Sequence, residues 1–201
     1  MGTKMYCSVE NRDRGFTLVE LLMAMAILGI IFAALASTFV IQSRSYDLQE
    51  QVTEMTQTAR AAMDMMTREI RMAGCNPAGA VFNGITYNAS QLQIRMDLTD
   101  ASGNPGSDGA TTGPNENIIY TYDAANLRID RNTGASAQPF AENIQSFTFS
   151  YLDSDGNATT ATADIRQVSI AITARTAKPD SNGTFRTYTL SSLVTPPNLY
   201  L

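Results

Sequence analysis

Residues 14–22 read Arg-Gly-Phe-Thr-Leu-Val-Glu-Leu-Leu and open a long apolar part of the chain. Within it, Glu20 is the only charged residue between Phe16 and Ser43. A charged side chain costs free energy in a segment apolar enough to enter a membrane, so such residues usually have a partner and a function. Glu20 is therefore the first candidate functional residue of this sequence.

The residues before this segment form a short polar leader. Residues 1–15 lack the apolar core and the small-residue cleavage site of an ordinary secretory signal peptide. Residues 21–43 are uncharged and predict roughly 35 Å of helix, enough to cross a bilayer core of about 30 Å. Because basic residues flanking a span stay on the cytoplasmic side, we predict a cytoplasmic leader that carries Lys4, Arg12 and Arg14. A plain single-span anchor explains the apolar run, but it explains neither Glu20 nor the glycine–phenylalanine junction.

The segment Gly15-Phe16-Thr17-Leu18-Val19-Glu20, followed by Leu21-Leu22 and a stretch rich in Ala, Ile and Leu, resembles the class III signal of type IV prepilins and pseudopilins. The resemblance implies that a prepilin peptidase cleaves between Gly15 and Phe16, and that the new amino group of Phe16 is N-methylated. It also implies three parts: a leader at 1–15, a transmembrane and filament-core helix at 16–43, and a periplasmic pilin-like domain at 44–201. The protein is then a single-pass protein of the bacterial inner membrane before it enters a filament.

The same resemblance implies that Glu20 pairs with the Phe16 amine of an adjacent subunit. A physical argument supports this pairing, because a mature chain would begin with a cationic amine close to a carboxylate in apolar surroundings. Leaving either charge unpaired in a low-dielectric core costs several kcal/mol. We therefore expect Glu20 to set the register in which subunits dock during assembly.

An amphipathic helix is predicted to continue beyond residue 41. Apolar residues recur at intervals of three and four, and Gly74 followed by Pro77 predicts its end. Five methionines lie between residues 55 and 72, where packing under a sheet is the expected role because methionine fills irregular cores. The chain has no proline before Pro77, which departs from the major-pilin pattern and favours a minor subunit. The predicted stripe consists of Leu48, Val52, Met55, Ala59, Ala62, Met66, Ile70 and Ala73.

After Gly74 the sequence becomes β-rich, with turn residues at short intervals. Alternating residues predict strands around positions 91–97, 147–151 and 168–172, and residues 187–194 predict a last strand. Residues 118–122 and 127–129 flank Asp-Ala-Ala-Asn and predict a hairpin. The expected fold is α+β and pilin-like: the second half of a long N-terminal helix packs against one mostly antiparallel sheet of six or so strands.

Composition excludes several classes of function. The chain has no histidine, so the usual general base, metal ligand and nucleophile partner are missing. Its lysines are Lys4 and Lys178, and Lys178 precedes a proline, which is a poor place for a desolvated base. The mature chain would hold 11 Lys and Arg against 17 Asp and Glu, without a basic run, so we expect no nucleic-acid partner. We predict neither an enzyme nor a cofactor, and Cys75 would remain as a single thiol once Cys7 leaves with the leader.

Two loops are of interest. Residues 99–117 form a long polar tract, which is either a contact or recognition surface or an unconstrained insertion. Residues 153–157 read Asp-Ser-Asp-Gly-Asn, and Asp153, Asp155 and Asn157 are weak candidates for a calcium site. The helix–loop–helix frame is absent and the glycine is at the fourth position, so we interpret this segment as a turn.

The order of elements after the helix resembles one branch of the family. Residues 141–151, 165–176 and 190–199, taken in that order, are similar to PilW-like minor pilins and to the related J-type minor pseudopilins of type II secretion. The resemblance implies a minor type IV pilin that helps to start pilus assembly in a tip or priming complex. Its implied partners are the prepilin peptidase, other pilins and the inner-membrane assembly platform. The alternatives are a minor pseudopilin and, from another class, a membrane-anchored periplasmic binding module.

Overall fold

The computed structural model of the protein describes residues 15–100 and 102–200. It begins with one long helix, α1, at Leu18–Met72. The chain divides within this helix into two compact units, and the second begins at Leu48. In the first unit, the described residues 15–47 are all exposed. By length and composition, α1 can cross a membrane, and most of residues 1–15, the predicted leader, lie outside the described residues.

In the second unit, one face of α1 packs into the hydrophobic core. Its buried residues follow the spacing of a helical stripe, as the sequence predicts. Three of the five methionines contribute to this face, whereas Met65 and Met72 are exposed. The helix ends at Met72, and Gly74 follows with a φ of +77°, in the region that favours glycine. The buried helical residues are Met55, Ala59, Ala62, Met63, Met66 and Ile70.

Among the described residues, eight strands follow, all paired antiparallel, in two sheets. The first sheet has the order β1-β2-β3-β4-β5 and the second the order β6-β7-β8. The first sheet comprises β1 (Ile85–Thr86), β2 (Gln91–Arg95), β3 (Asn117–Asp123), β4 (Arg128–Asn132) and β5 (Gln138–Ala141). The second comprises β6 (Ile144–Leu152), β7 (Gln167–Arg175) and β8 (Thr187–Val194). Two short 3-10 helices lie at Thr162–Asp164 and Pro197–Tyr200.

The α+β fold class is confirmed, with a long N-terminal helix and antiparallel sheets. The expectation of a single sheet was wrong, because the chain leaves the first sheet between β5 and β6. Asn143 lies at this point with a φ of +58°, which turns the backbone out of the first sheet. The predicted β3–β4 hairpin is present, with Ile119 paired to Asn132.

Helix and sheets share one hydrophobic core. Both sheets direct alternate residues into it, such as Leu92 and Ile94 from β2 and Val168, Ile170 and Ile172 from β7. Several of these side chains have no exposed surface, so each contributes about 1.5–3 kcal/mol of burial free energy. The stability of the second unit therefore comes from helix–sheet packing rather than from helix propensity alone.

Gly84 lies against the backbone at the end of α1. A Cβ atom at this position would come within 2.3 Å of the Gly74 nitrogen and 2.5 Å of the Gly74 Cα. Backbone cannot move away as a flexible side chain can, and the contact is fixed by the Arg95 N–H, which donates to the Gly84 carbonyl at 2.7 Å. Glycine is therefore the residue that this close approach permits.

The substitution Gly84→Ala is expected to lower the free energy of unfolding by about 1–3 kcal/mol, because it overpacks the helix end. Thermal unfolding of the full chain in detergent measures the loss. Gly29→Ala is the matched control, since a Cβ at Gly29 meets nothing within 4 Å. Equal melting temperatures for Gly84→Ala and the wild type would show that the helix end can shift without cost.

Candidate processing and assembly site

The predicted cleavage junction lies at the start of the described residues, in a short non-helical segment that precedes α1. Residues 15–17 are not helical, and Gly15 and Phe16 are exposed; Phe16 exposes 85% of its surface. A peptidase needs a backbone that it can reach. The described side of the junction is exposed and lies outside regular helix, which begins at Leu18.

Thr17 caps the first turn of α1. The Glu20 N–H donates to Thr17 Oγ1 at 3.3 Å, and the Leu21 N–H donates to the Thr17 carbonyl at 3.1 Å. A threonine three residues before a glutamate is the capping-box pattern. The cap was not predicted from the sequence, although the Thr-x-x-Glu spacing of Thr17 and Glu20 was the available signal. The cap sets where the helix starts, and hence places Glu20 in its first turn.

The Glu20 carboxylate has no ion pair or hydrogen bond among residues 15–100 and 102–200. Its neighbours along the helix are exposed apolar side chains, including Leu18, Val19, Leu21 and Leu22. The positive N-terminal end of a helix favours a carboxylate in the first turn. The same carboxylate can also accept hydrogen bonds from an ammonium group, which is the chemistry that the predicted pairing needs.

Two buried carboxylates hold the long loop between β2 and β3. Asp97 has no exposed surface and accepts hydrogen bonds from the Ser107 hydroxyl and from the Gly109 N–H at 3.0 Å. Glu116 is 1% exposed and accepts from the N–H groups of Leu98, Thr99 and Gly113 at 2.6–2.7 Å. Residues 99–117 are therefore not an unconstrained insertion, and their role as a contact surface stays a prediction. Neither residue was predicted from the sequence, although a carboxylate at each end of a glycine-rich loop was visible there.

The Glu116 cluster makes the stability of the loop depend on pH. Burial alone raises the pKa of a carboxyl group, but the hydrogen bonds from Leu98, Thr99 and Gly113 outweigh it and hold the pKa of Glu116 below its ordinary value of 4.5. A carboxylate with a lowered pKa stabilises the folded state above its unfolded pKa. That contribution is lost as the pH falls through the folded pKa.

The substitution Glu116→Gln is expected to cost about 2 kcal/mol at pH 7, because an amide places donors against N–H groups. The difference from the wild type should shrink as the pH falls below 4.5, since protonation of Glu116 weakens the same contacts in the wild type. Melting temperatures of both proteins across this pH range provide the measurement. A difference that stays constant at all pH values would show that Glu116 is not ionised in the folded state.

Residues 153–157 form a compact turn. Asp153 Oδ1 accepts hydrogen bonds from the N–H groups of Asp155 at 2.9 Å and Asn157 at 2.8 Å, and Gly156 has a φ of +83°. These bonds lower the pKa of Asp153; the one from Asn157 contributes most. The turn interpretation accounts for the clustered polar residues. Within the described residues, no group of three or more His, Cys, Asp or Glu side chains is placed to hold a metal ion.

Cys75 follows the end of α1 and is half-buried. Its N–H donates to the Met72 carbonyl at 3.0 Å, and its own carbonyl accepts from the Asp97 N–H at 2.9 Å. Cys75 thus joins the helix end to the start of the long loop through its backbone. Cys7 lies outside the described residues.

Comparison with known proteins identifies the N-terminal segment. Residues 11–36 match the family model described as the prokaryotic N-terminal methylation motif. Among solved structures, a type IV-like pilin from Thermus thermophilus is similar to this chain, with 12% identity and a TM-score of 0.46. That match covers 72% of this chain and 97% of the pilin. The comparison with curated proteins gave no match.

The motif match confirms the sequence-based identification of a prepilin-type methylation segment. It includes Gly15, Phe16 and Glu20. Their individual roles stay predictions.

Proposed function

We propose that this chain is a structural subunit of a type IV filament, made as a prepilin. The observation that supports this most strongly is the methylation motif at residues 11–36, at the start of a long apolar helix. A prepilin peptidase removes residues 1–15, and the new amino group of Phe16 is methylated. The mature protein then leaves the inner membrane and joins other pilins or pseudopilins.

Glu20 guides this assembly in the proposed mechanism. Its carboxylate is exposed, lies in the first helical turn and lacks a partner among the described residues. When apolar helices pack together, water leaves and an unpaired carboxylate becomes costly. The Phe16 amine of an adjacent subunit removes that cost in one register only, so the charge pair selects the docking position.

Within the filament proteins, we propose a minor pilin of the PilW type that acts in a tip or priming complex. Two features support the minor role. α1 runs from Leu18 to Met72 without proline, and Cys75 is a free thiol in the described part of the chain, which departs from the disulfide-closed end of many major pilins. The proposed orientation places the second unit in the periplasm until the protein enters the filament.

Deletion of the gene tests the minor role. A priming subunit acts in few copies, so its loss should remove most surface pili while the major subunit accumulates in the membrane. Expression of the wild-type chain from a plasmid is the control and should restore the pili. Normal piliation with failed export of secreted enzymes would instead assign the chain to a secretion pseudopilus.

A further inference from the structure

The second sheet ends in a strand, β8, whose outer edge has no hydrogen-bonding partner in the part of the chain that the structure describes. β8 pairs with β7 from Thr187 to Val194 in an unbroken register. Among the described residues, no backbone hydrogen bond joins β8 to any segment on its other side. A row of unpaired N–H and C=O groups is a template for another strand.

The register identifies which residues face this open edge. The Thr176 N–H donates to the Arg186 carbonyl at 2.9 Å, and the same register continues through Arg175 paired with Thr187. Because inward and outward backbone groups alternate along an antiparallel strand, the even-numbered residues of β8 bond to β7. Thr187, Thr189, Ser191 and Leu193 therefore direct their N–H and C=O groups outward.

The other sheet edges are short or partly occupied. β1 has two residues, and β5 has four, one of which is Pro139. β6 accepts hydrogen bonds near its start from the Tyr122 hydroxyl and near its end from the Thr159 N–H. β8 is thus the long open edge of the described structure.

β8 also lacks the features that keep edge strands apart. Its sequence, Thr-Tyr-Thr-Leu-Ser-Ser-Leu-Val, contains no charge, proline or glycine, and its pairing contains no bulge. Natural edges are usually protected by such residues or bulges. Because β8 itself carries no charge, it has no charged side chain that would repel a second neutral strand.

Leu193 indicates which kind of strand could pair with the open edge of β8. Its side chain exposes 59% of its surface. It lies on the exposed face of β8, together with the side chains of Thr187, Thr189 and Ser191. If β8 paired with β8 of a second copy about a two-fold axis, the exposed faces of the two sheets would lie on the same side. Leu193 would then lie opposite one of these hydroxyl residues in any register that pairs most of the strand. A foreign strand can instead place an apolar residue opposite Leu193, so that the two side chains contact each other and cover part of each other's surface.

We propose that the outer edge of β8 accepts an extended, uncharged strand from a different subunit of the same assembly. The pairing continues the second sheet by one strand and places an apolar side chain of the partner against Leu193. That the partner is a filament subunit rests on the proposed function. The open edge and its neutral sequence rest on the structure of the second unit alone.

Site-specific photo-crosslinking in the source bacterium tests this inference on the full chain. The crosslinking residue p-benzoylphenylalanine replaces Leu193, and mass spectrometry identifies the crosslinked peptide. We expect that peptide to be an uncharged strand of a different filament subunit. Absence of a crosslink, a crosslink to a second copy of this chain, or one to a helix or loop would overturn the proposal.

Proline and alanine substitutions at Ser191, whose N–H points to the open edge, provide a matched pair of variants. Ser191→Pro removes one outward N–H and leaves the bonds to β7 in place, so the crosslink yield should fall roughly tenfold. Ser191→Ala keeps the N–H and should leave the yield unchanged. Equal yields in both variants would also overturn the proposal. If Ser191→Pro melts at a lower temperature than Ser191→Ala, Thr187→Pro at the strand end replaces it.

The result is separable from the proposed function. A chain that is cleaved before Phe16 and enters filaments, but gives no crosslink from β8, refutes the strand addition alone. An uncleaved chain refutes the filament role, whatever β8 contacts.

Discussion

Filaments formed in cells that carry Glu20→Val are expected to contain about tenfold less of this protein than wild-type filaments. The substitution removes the one charge of the segment between Phe16 and Ser43. The Phe16 amine of a neighbouring subunit then enters the apolar filament core without a counter-charge, at a cost of several kcal/mol. Even 1.4 kcal/mol of that cost reduces an equilibrium constant tenfold. Cleavage of the leader should continue, because the exposed Gly15–Phe16 junction is unchanged.

Immunoblots of sheared filaments and of membranes measure how much of the protein is in each of these two fractions. Glu50→Val is the matched control, since Glu50 is also an exposed carboxylate on α1 but lies outside the apolar segment. Glu20→Gln separates charge from size and should behave like Glu20→Val. If Glu20→Val and Glu50→Val reach filaments equally well, Glu20 does not set the docking register.

The largest effect on stability is expected for Glu69→Ala. Glu69 lies on α1 and accepts hydrogen bonds from the Tyr120 hydroxyl of β3 and from Arg131 Nη2 of β4 at 2.6 Å. Tyr120 has no exposed surface, and burial followed by the Glu69 contact raises its pKa above the ordinary value. For Arg131, burial disfavours the charge, but Glu69 more than compensates, and the pKa of Arg131 is raised. Glu69 therefore connects the helix to two strands of the first sheet.

Removing Glu69 takes away the carboxylate that a buried hydroxyl and a largely buried guanidinium share, and leaves Arg131, within the described residues, only a long contact of 3.4 Å to Asn115 Oδ1. Breaking a buried charge pair in this way costs about 3 kcal/mol or more, which corresponds to a fall in melting temperature of roughly 6–12 °C for a unit of this size. Tyr120→Phe removes only the hydroxyl and should cost less, about 1 kcal/mol.

Calorimetry of the full chain in detergent measures both losses. Glu54→Ala, at an exposed position of the same helix, controls for the change in helix composition and should shift the melting temperature little. A Glu69→Ala protein as stable as Glu54→Ala would mean that water replaces the carboxylate without cost.

Local patterns predicted much of the fold. β8 was predicted with its observed bounds, Thr187–Val194, in an uncharged segment that lies shortly before two prolines. β7 was found through Val168, Ile170 and Ile172, which are all buried. β1 and β5 were not predicted. β1 has only two residues, which cannot show alternation, and Pro139 in β5 argues against a strand. The division into two sheets depends on the backbone conformation at Asn143, which the pattern of apolar and polar residues does not predict.

The candidate site was visible for a similar reason. Gly15, Phe16 and Glu20 lie within six residues, so their spacing can be read directly. Glu69 and Arg131 are 62 residues apart, and the sequence around either residue does not predict their contact. Asp97 and Glu116 stand at the two ends of a glycine-rich loop in the sequence, but their hydrogen bonds to the loop N–H groups are visible only in the folded structure. Tertiary hydrogen bonds of this kind are a product of the fold and cannot be read from local sequence.

The mass of the mature N-terminus tests the central claim most directly. Intact-mass and peptide analysis of the protein purified from membranes of the source bacterium should show loss of residues 1–15 and one added methyl group on the amine of Phe16. The same protein from a strain without its prepilin peptidase should retain the leader. A chain that still begins at Met1 in peptidase-positive cells, while it performs normally, would contradict the filament role of this protein.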